Sequence, residues 1–127
     1  MLELSVAATW HRISVALTMR ENELMRIELL YIDDCPNSAG AQERLEAALE
    51  ILGRGDIPVH MRQLNSASET EDTGFAGSPT ITVDGKDIFP TGATADDLAC
   101  RVYVTPHGLT GMPTVEQVTG ALKNHGF

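Results

Sequence analysis

The strongest constraint on the fold is a short apolar run followed closely by an amphipathic segment. Residues 26–33, RIELLYID, are almost continuously apolar, which favours a strand buried on both faces, as in an α/β sheet. Pro36 suits the first position of a following helix, and Gly53 suits its end. Between them, apolar residues recur at helical spacing: Ala41, Leu45, Ala48, Leu49 and Leu52.

A second strand is predicted at residues 57–64, IPVHMRQL, where apolar and polar residues roughly alternate. Strand, helix and strand in this order form a βαβ unit, whose crossover should be right-handed. Next, Ser66 with Glu69 has the spacing of a capping box and predicts a short acidic helix. Asp84-Gly85, between two β-rich runs, then predicts a hairpin with a type I′ turn.

The C-terminal part predicts one more strand and one more helix. Residues 100–105, CRVYVT, have the β-branched and aromatic composition of a strand. Thr114 and Gln117 form a second capping box, so a terminal helix should begin there and end near Gly126. From residue 25 onward the predicted order is therefore β-α-β-α-β-β, then a strand and a helix.

Length and charge limit the classes of function. A chain of 127 residues is one domain by length and can bury a normal core. Its formal charge of -9 argues against nucleic acid and an anionic membrane surface as partners, because both require clustered Lys and Arg. Two cysteines, Cys35 and Cys100, are too few for a secreted disulfide framework, so we expect a cytoplasmic protein with free thiols.

The first 24 residues differ from the rest. They have no basic region before their apolar stretch, so they do not resemble a signal peptide, and no run in the chain has the length of a membrane span. One helical face would carry Val6, Trp10, Ile13 and Leu17. We therefore divide the chain into an N-terminal extension (1–24), which is either a docking helix or a dispensable leader, and a domain (25–127).

Two short stretches carry a resemblance to a known family. DDCPNS (33–38) places a cysteine at the first strand-to-helix junction, and GSPTITVDG (77–85) places a proline before the hairpin. From roughly residue 25 to 127 the chain resembles the thioredoxin-like superfamily, which implies a central mixed sheet of about four strands flanked by helices. By that resemblance Cys35 matches the nucleophilic first cysteine of C-x-x-C, Ser38 replaces the second, and Pro79 matches the cis-proline.

The residues around Cys35 act on its thiol in opposite directions. A helix N-terminus favours the reactive thiolate, whereas the adjacent carboxylates of Asp33 and Asp34 oppose it. Ser38 has two alternative roles, a hydrogen bond to the thiolate or capping of the helix. Cys100 is the only candidate resolving thiol, although a free cysteine at this position is more typical of a buried core residue.

The resemblance also implies a substrate groove. Pro79 would hold backbone that pairs with a substrate peptide beside the thiol, and the expected substrate-binding residues are Pro36, Ser78, Pro79 and Thr80. Loop residues that could also line the site are Asp96, Asp97 and His107. The pattern of cysteines and histidines calls for no metal site and no cofactor.

Three hypotheses for function remain open. The first is a thiol-disulfide oxidoreductase with Cys35 as nucleophile, acting on a protein or glutathione-like thiol or disulfide. The second is organomercurial cleavage, with Asp33 or Asp34 as acid, or mercury binding, by Cys35 and Cys100, because residues 95–114 resemble a subgroup sometimes labelled alkylmercury lyase. The third is a non-catalytic thioredoxin-like binding module. The sequence predicts no oligomeric state.

Overall fold

The computed structural model describes residues 26–71, 73–90 and 98–127, so the predicted N-terminal extension lies outside the described residues. The chain is mixed α/β. Its elements are β1 (Ile27–Ile32), α1 (Ser38–Ile51), β2 (Val59–Leu64), a 3-10 helix (Ala67–Thr70), β3 (Thr80–Val83), β4 (Lys86–Asp87), β5 (Tyr103–Thr105), β6 (Gly108–Thr110) and α2 (Val115–Asn124).

The main sheet has four strands in the order β2-β1-β3-β4 and is mixed, as predicted. β1 runs parallel to β2, with Ile27 opposite Val59, and antiparallel to β3, with Ile27 opposite Val83. The predicted βαβ unit is therefore confirmed, with β1 in the interior of the sheet.

Both faces of β1 are buried, as its apolar run predicts. Leu29 belongs to the larger core cluster, to which α1 contributes Leu45 and α2 contributes Leu122. Leu30 lies on the opposite face, because successive side chains of a strand alternate, and it packs in a cluster that contains Phe75. The two described helices thus cover the same face of the sheet, rather than flanking it.

The start of α1 differs from the prediction. Pro36 is not its first residue, because the helix begins at Ser38 and Asn37 occupies the N-cap position. The first helical hydrogen bond runs from the Ala41 N–H to the Asn37 carbonyl at 2.9 Å. At the other end Gly53 has a φ of 70°, a left-handed conformation that suits glycine and ends the helix where the sequence predicts.

The predicted hairpin and the second capping box are confirmed. Asp84 and Gly85 have φ values of 52° and 81°, and a type I′ turn requires positive φ at both positions. At α2 the Gln117 N–H donates to Thr114 Oγ1 at 3.1 Å, and the Thr114 N–H donates to Gln117 Oε1 at 3.0 Å. Each side chain thus satisfies an amide at the helix start.

The predicted acidic helix is reduced to the four-residue 3-10 helix. Ser66 is its N-cap but makes no capping hydrogen bond through its side chain. Glu69 instead accepts a hydrogen bond from the Asn65 N–H at 2.6 Å.

The predicted strand at residues 100–105 is wrong in its start. β5 begins only at Tyr103 and pairs with β6, which the sequence did not predict, placing Val104 opposite Leu109. The hairpin of β5 and β6 forms a sheet of its own, whereas Cys100 makes an isolated bridge to Ser78. Neither helix in the part of the chain that the structure describes is long and apolar enough for a membrane crossing.

Candidate functional site

Cys35 lies just after β1, in a turn that separates the strand from α1. Its N–H donates to the Ile32 carbonyl at 3.3 Å, and Asp34 has a φ of 57°, which aspartate tolerates better than most residues. The thiol is free and half-buried. Cys35 is thus held at the C-terminal end of an interior strand and retains access to solvent.

The hydroxyl of Ser38 serves the backbone in this structure. It donates to the Cys35 carbonyl at 3.1 Å, and the Ser38 N–H approaches the same oxygen at 3.5 Å. The hydroxyl therefore braces the turn between Cys35 and the helix, while Asn37 takes the N-cap position. Pro36 lies between Cys35 and the cap and is exposed.

The loop before α2 packs against the start of α1, a contact for which the sequence contains no local signal. A Cβ added to Gly111 would lie 2.1 Å from Asn37 Nδ2, and one added to Gly40 would lie 2.9 Å from Met112 Sδ. Arg44 adds a hydrogen bond to the carbonyl of residue 113 at 2.8 Å. These contacts fix the first turn of α1 and hence the turn that carries Cys35.

The loop before β3 is attached to the end of β1. The peptide bond between Ser78 and Pro79 is cis, as the resemblance predicts, and both residues are buried. Ser78 Oγ accepts a hydrogen bond from the Ile32 N–H at 3.1 Å. Thr80 is also buried; its hydroxyl donates to the Gly77 carbonyl. The side chains of Ser78 and Thr80, two of the four residues expected to bind substrate, therefore hold this loop in place.

A short segment of chain crosses this loop; we call residues 99–101 the strap. The Ser78 N–H donates to the Ala99 carbonyl at 2.8 Å, and the Arg101 N–H donates to the Ser78 carbonyl at 2.9 Å. Cys100 lies between them, opposite Ser78. Its expected burial is wrong, because Cys100 is exposed. Both free thiols are thus connected to Ser78: Cys35 through Ile32, and Cys100 through the strap.

Arg101 anchors the strap in a buried polar cluster. Its guanidinium lies 2.8 Å from the Asp87 carboxylate, with the two side chains 4% and 13% exposed. It also donates to the Phe89 carbonyl and stacks 4.6 Å from the centre of the Tyr103 ring. The Tyr103 hydroxyl in turn donates to the Pro79 carbonyl.

Burial dominates the electrostatics of this cluster. It raises the pKa of Asp87 above its ordinary value, although the Phe89 N–H and the Arg101 guanidinium act in the opposite direction. Burial likewise raises the pKa of Tyr103, against the opposing effect of Arg101. The phenol of Tyr103 therefore remains a hydrogen-bond donor to Pro79 under ordinary conditions.

The other candidate residues do not belong to the cluster around Arg101, and some lie outside the described residues. His107 is exposed in the turn between β5 and β6, and Asp33 and Asp34 are exposed beside Cys35. Asp96 and Asp97 lie outside the described residues. Among the described residues, no three His, Cys, Asp or Glu side chains are close enough to hold a metal ion.

A scan of protein-family models found none that matches the chain, and searches of curated proteins and of solved structures found no match either. The arrangement of Cys35, Ser78 and the strap is therefore the basis for assigning a function.

Proposed function

We propose that this chain is a thioredoxin-like thiol protein in which Cys35 is the nucleophile of thiol-disulfide exchange. One observation carries the proposal. Cys35 is a free, half-buried thiol just after an interior strand, and the end of that strand is hydrogen-bonded to Ser78 in the loop before β3. The ends of interior strands are common positions for sites in open α/β sheets.

The arrangement of the sheet supports the same proposal. Parallel β1 and β2 are joined through α1, antiparallel β3 and β4 follow, and α2 packs beside α1. This is the order of elements that the resemblance implies for residues 25–127. The proposal uses the position of Cys35 within that order and requires no metal or cofactor.

Thiol-disulfide exchange requires a second thiol, and the serine at position 38 does not supply it. The Cys35 thiolate attacks one sulfur of a disulfide, a mixed disulfide forms, and the other sulfur leaves as a thiolate that takes up a proton. Ser38 cannot break that mixed disulfide. The resolving thiol is therefore either Cys100, which lies exposed on the strap, or a free thiol in solution.

The test is turnover of hydroxyethyl disulfide with glutathione as the reducing thiol, with the full chain in every variant. We expect Cys35→Ser to abolish the protein-dependent rate. Cys100→Ser is the matched control: a retained rate identifies the external thiol as the resolving group, and a lost rate identifies Cys100. Unchanged turnover in Cys35→Ser would disprove the proposal.

The same assay separates the alternatives. A wild-type chain that produces no turnover would favour the non-catalytic binding module, in which Cys35 is incidental. The organomercurial hypothesis stays a prediction from the sequence; its test is release of the protonated hydrocarbon from an organomercurial in excess thiol.

A further inference from the structure

The main-chain groups of Ser78 and Pro79 are already hydrogen-bonded to other parts of the described chain. The Ser78 N–H donates to the Ala99 carbonyl at 2.8 Å, and the Ser78 carbonyl accepts from the Arg101 N–H at 2.9 Å. Pro79 has no N–H, and its carbonyl accepts from the Tyr103 hydroxyl. An extended peptide binds to a strand edge through such groups. At residues 78–79 the chain itself already occupies them.

The strap lies too close to this loop for a second backbone to pass between them. A Cβ added to Gly77 would lie 2.8 Å from Arg101 Cβ and 3.0 Å from Arg101 Cα. Residue 77 therefore touches the strap directly. A peptide could reach Ser78 only by displacing residues 99–101.

Displacement is opposed by the anchoring of Arg101. Its side chain is 4% exposed and is paired with Asp87 at 2.8 Å. It also donates to the Phe89 carbonyl and stacks on Tyr103. Pulling the strap away would leave the half-buried Asp87 carboxylate without its partner, which is unfavourable. The strap is thus held by side chains as well as by its two main-chain hydrogen bonds.

We infer that residues 99–101 fill the position that a peptide would occupy beside Cys35, so that this thiol acts on small-molecule thiols and disulfides and not on disulfides in extended peptides. The inference rests on the proposed function of Cys35 and adds its substrate class. Arg101 is a positioning residue in this arrangement, because it acts on substrate choice through the strap.

A small disulfide and a small thiol are sufficient for the complete exchange at Cys35. The Cys35 thiolate attacks a small disulfide RSSR, which forms the mixed disulfide Cys35–S–S–R and releases RS⁻, which takes a proton from water. A second small thiol, R′SH, loses its proton and attacks the R sulfur. This step releases RSSR′ and restores the Cys35 thiolate. The small disulfide supplies the oxidant and the small thiol supplies the reductant.

The test compares two disulfides with the same chromophoric leaving group, 5-thio-2-nitrobenzoate, in a Cys100→Ser background. One carries N-acetylcysteine amide and the other carries a neutral seven-residue peptide with cysteine at its centre. If the peptide could form two main-chain hydrogen bonds with Ser78, it would react roughly tenfold faster than the small disulfide. With the strap intact we expect no such advantage, and a tenfold advantage would overturn the inference.

The second arm loosens the strap with Arg101→Leu. We expect the reaction rate of the peptide disulfide to rise roughly tenfold relative to that of the small disulfide, because the peptide can then form two main-chain hydrogen bonds with Ser78. Val104→Ser is the matched control, because Val104 is 75% exposed on β5 and makes none of the anchoring contacts. An unchanged rate ratio in a folded Arg101→Leu protein would contradict the inference. If that variant fails to fold, Asp87→Asn weakens the same anchor.

Failure of the proposed function is recognised separately. If neither disulfide reacts with Cys35, the proposed function is wrong. Hydrogen exchange at the Ser78 and Arg101 amides then still tests the strap, with the thiol-free peptide in excess. We expect both amides to remain protected; loss of protection at the Arg101 amide alone would mean that the peptide displaces the strap, and the inference would be rejected.

Discussion

Ser78 and Cys100 lie opposite each other in an isolated parallel bridge. The bridge brings an exposed thiol beside a fully buried serine whose hydroxyl accepts a hydrogen bond from the end of β1. That same end of β1 accepts the hydrogen bond from the Cys35 N–H. Ser78 is therefore the residue through which the two cysteines of this chain are structurally connected.

We expect Ser38→Cys to form a disulfide with Cys35. The Ser38 hydroxyl lies 3.1 Å from the Cys35 carbonyl, so the side chain at position 38 is directed back toward residue 35. Mild oxidation in a Cys100→Ser background should remove two hydrogen masses from the peptide that contains both cysteines. Ala39→Cys is the control, because Ala39 is exposed and projects from another side of the helix. Equal amounts of free thiol in the two oxidised variants would contradict this prediction.

Gly77→Ala should be more destabilising than Gly85→Ala. Both glycines have positive φ, 110° and 81°, but only a Cβ at position 77 would collide with Arg101. We expect a loss of about 3 kcal/mol at Gly77, from backbone conformation and overpacking together. At Gly85 only the conformational cost of about 1 kcal/mol applies. Urea unfolding of both variants measures the difference, and equal losses would mean that the strap moves away freely.

Removing Asp87 alone should cost more than removing it together with its partner. Asp87→Leu leaves the buried Arg101 guanidinium without its carboxylate, and we expect a loss of about 3 kcal/mol in the free energy of unfolding. Asp87→Leu with Arg101→Met replaces the pair by apolar side chains of similar size and should recover most of that loss. Unfolding of the single and double variants completes the cycle. Additive losses would show that the ion pair contributes no coupling.

Tyr103→Phe should change how stability depends on alkaline pH. Burial raises the pKa of Tyr103, so the folded chain holds the phenolic proton more tightly than the unfolded chain. The stabilisation is therefore fully present below the unfolded pKa of about 10 and is lost as the pH rises above it.

The measurement is the difference in free energy of unfolding between wild type and Tyr103→Phe from pH 8 to 11, under reducing conditions. Below pH 10 we expect wild type to be more stable by about 1 kcal/mol, because of the hydrogen bond to Pro79. Above pH 10 this advantage should fall by up to about 1.4 kcal/mol per pH unit. A difference that stays constant over this pH range would show that the Tyr103 hydroxyl is not a buried hydrogen-bond donor.

Features that depend on neighbouring residues were predictable. The apolar run of β1, the Asp84-Gly85 turn and the Thr114–Gln117 capping box each place their determinants within a few residues, and all three are confirmed. The turn at Cys35 was predicted less accurately. Asp34 adopts a positive φ, residues 36 and 37 still belong to a turn, and the helix starts at Ser38 rather than at Pro36.

In the candidate site, too, some features follow from the local sequence and others only from the tertiary structure. The sequence alone determined that Cys35 lies between the first strand and the first helix, because the apolar run, the proline and the amphipathic helix are adjacent in the chain. Only the tertiary structure decided that Cys100 is exposed and that Arg101 is buried, since both follow from hydrogen bonds between residues 99–101 and Ser78. Such pairing is between main-chain groups that every residue except proline carries, so side-chain patterns do not encode it. Its partner is selected only when the whole core packs.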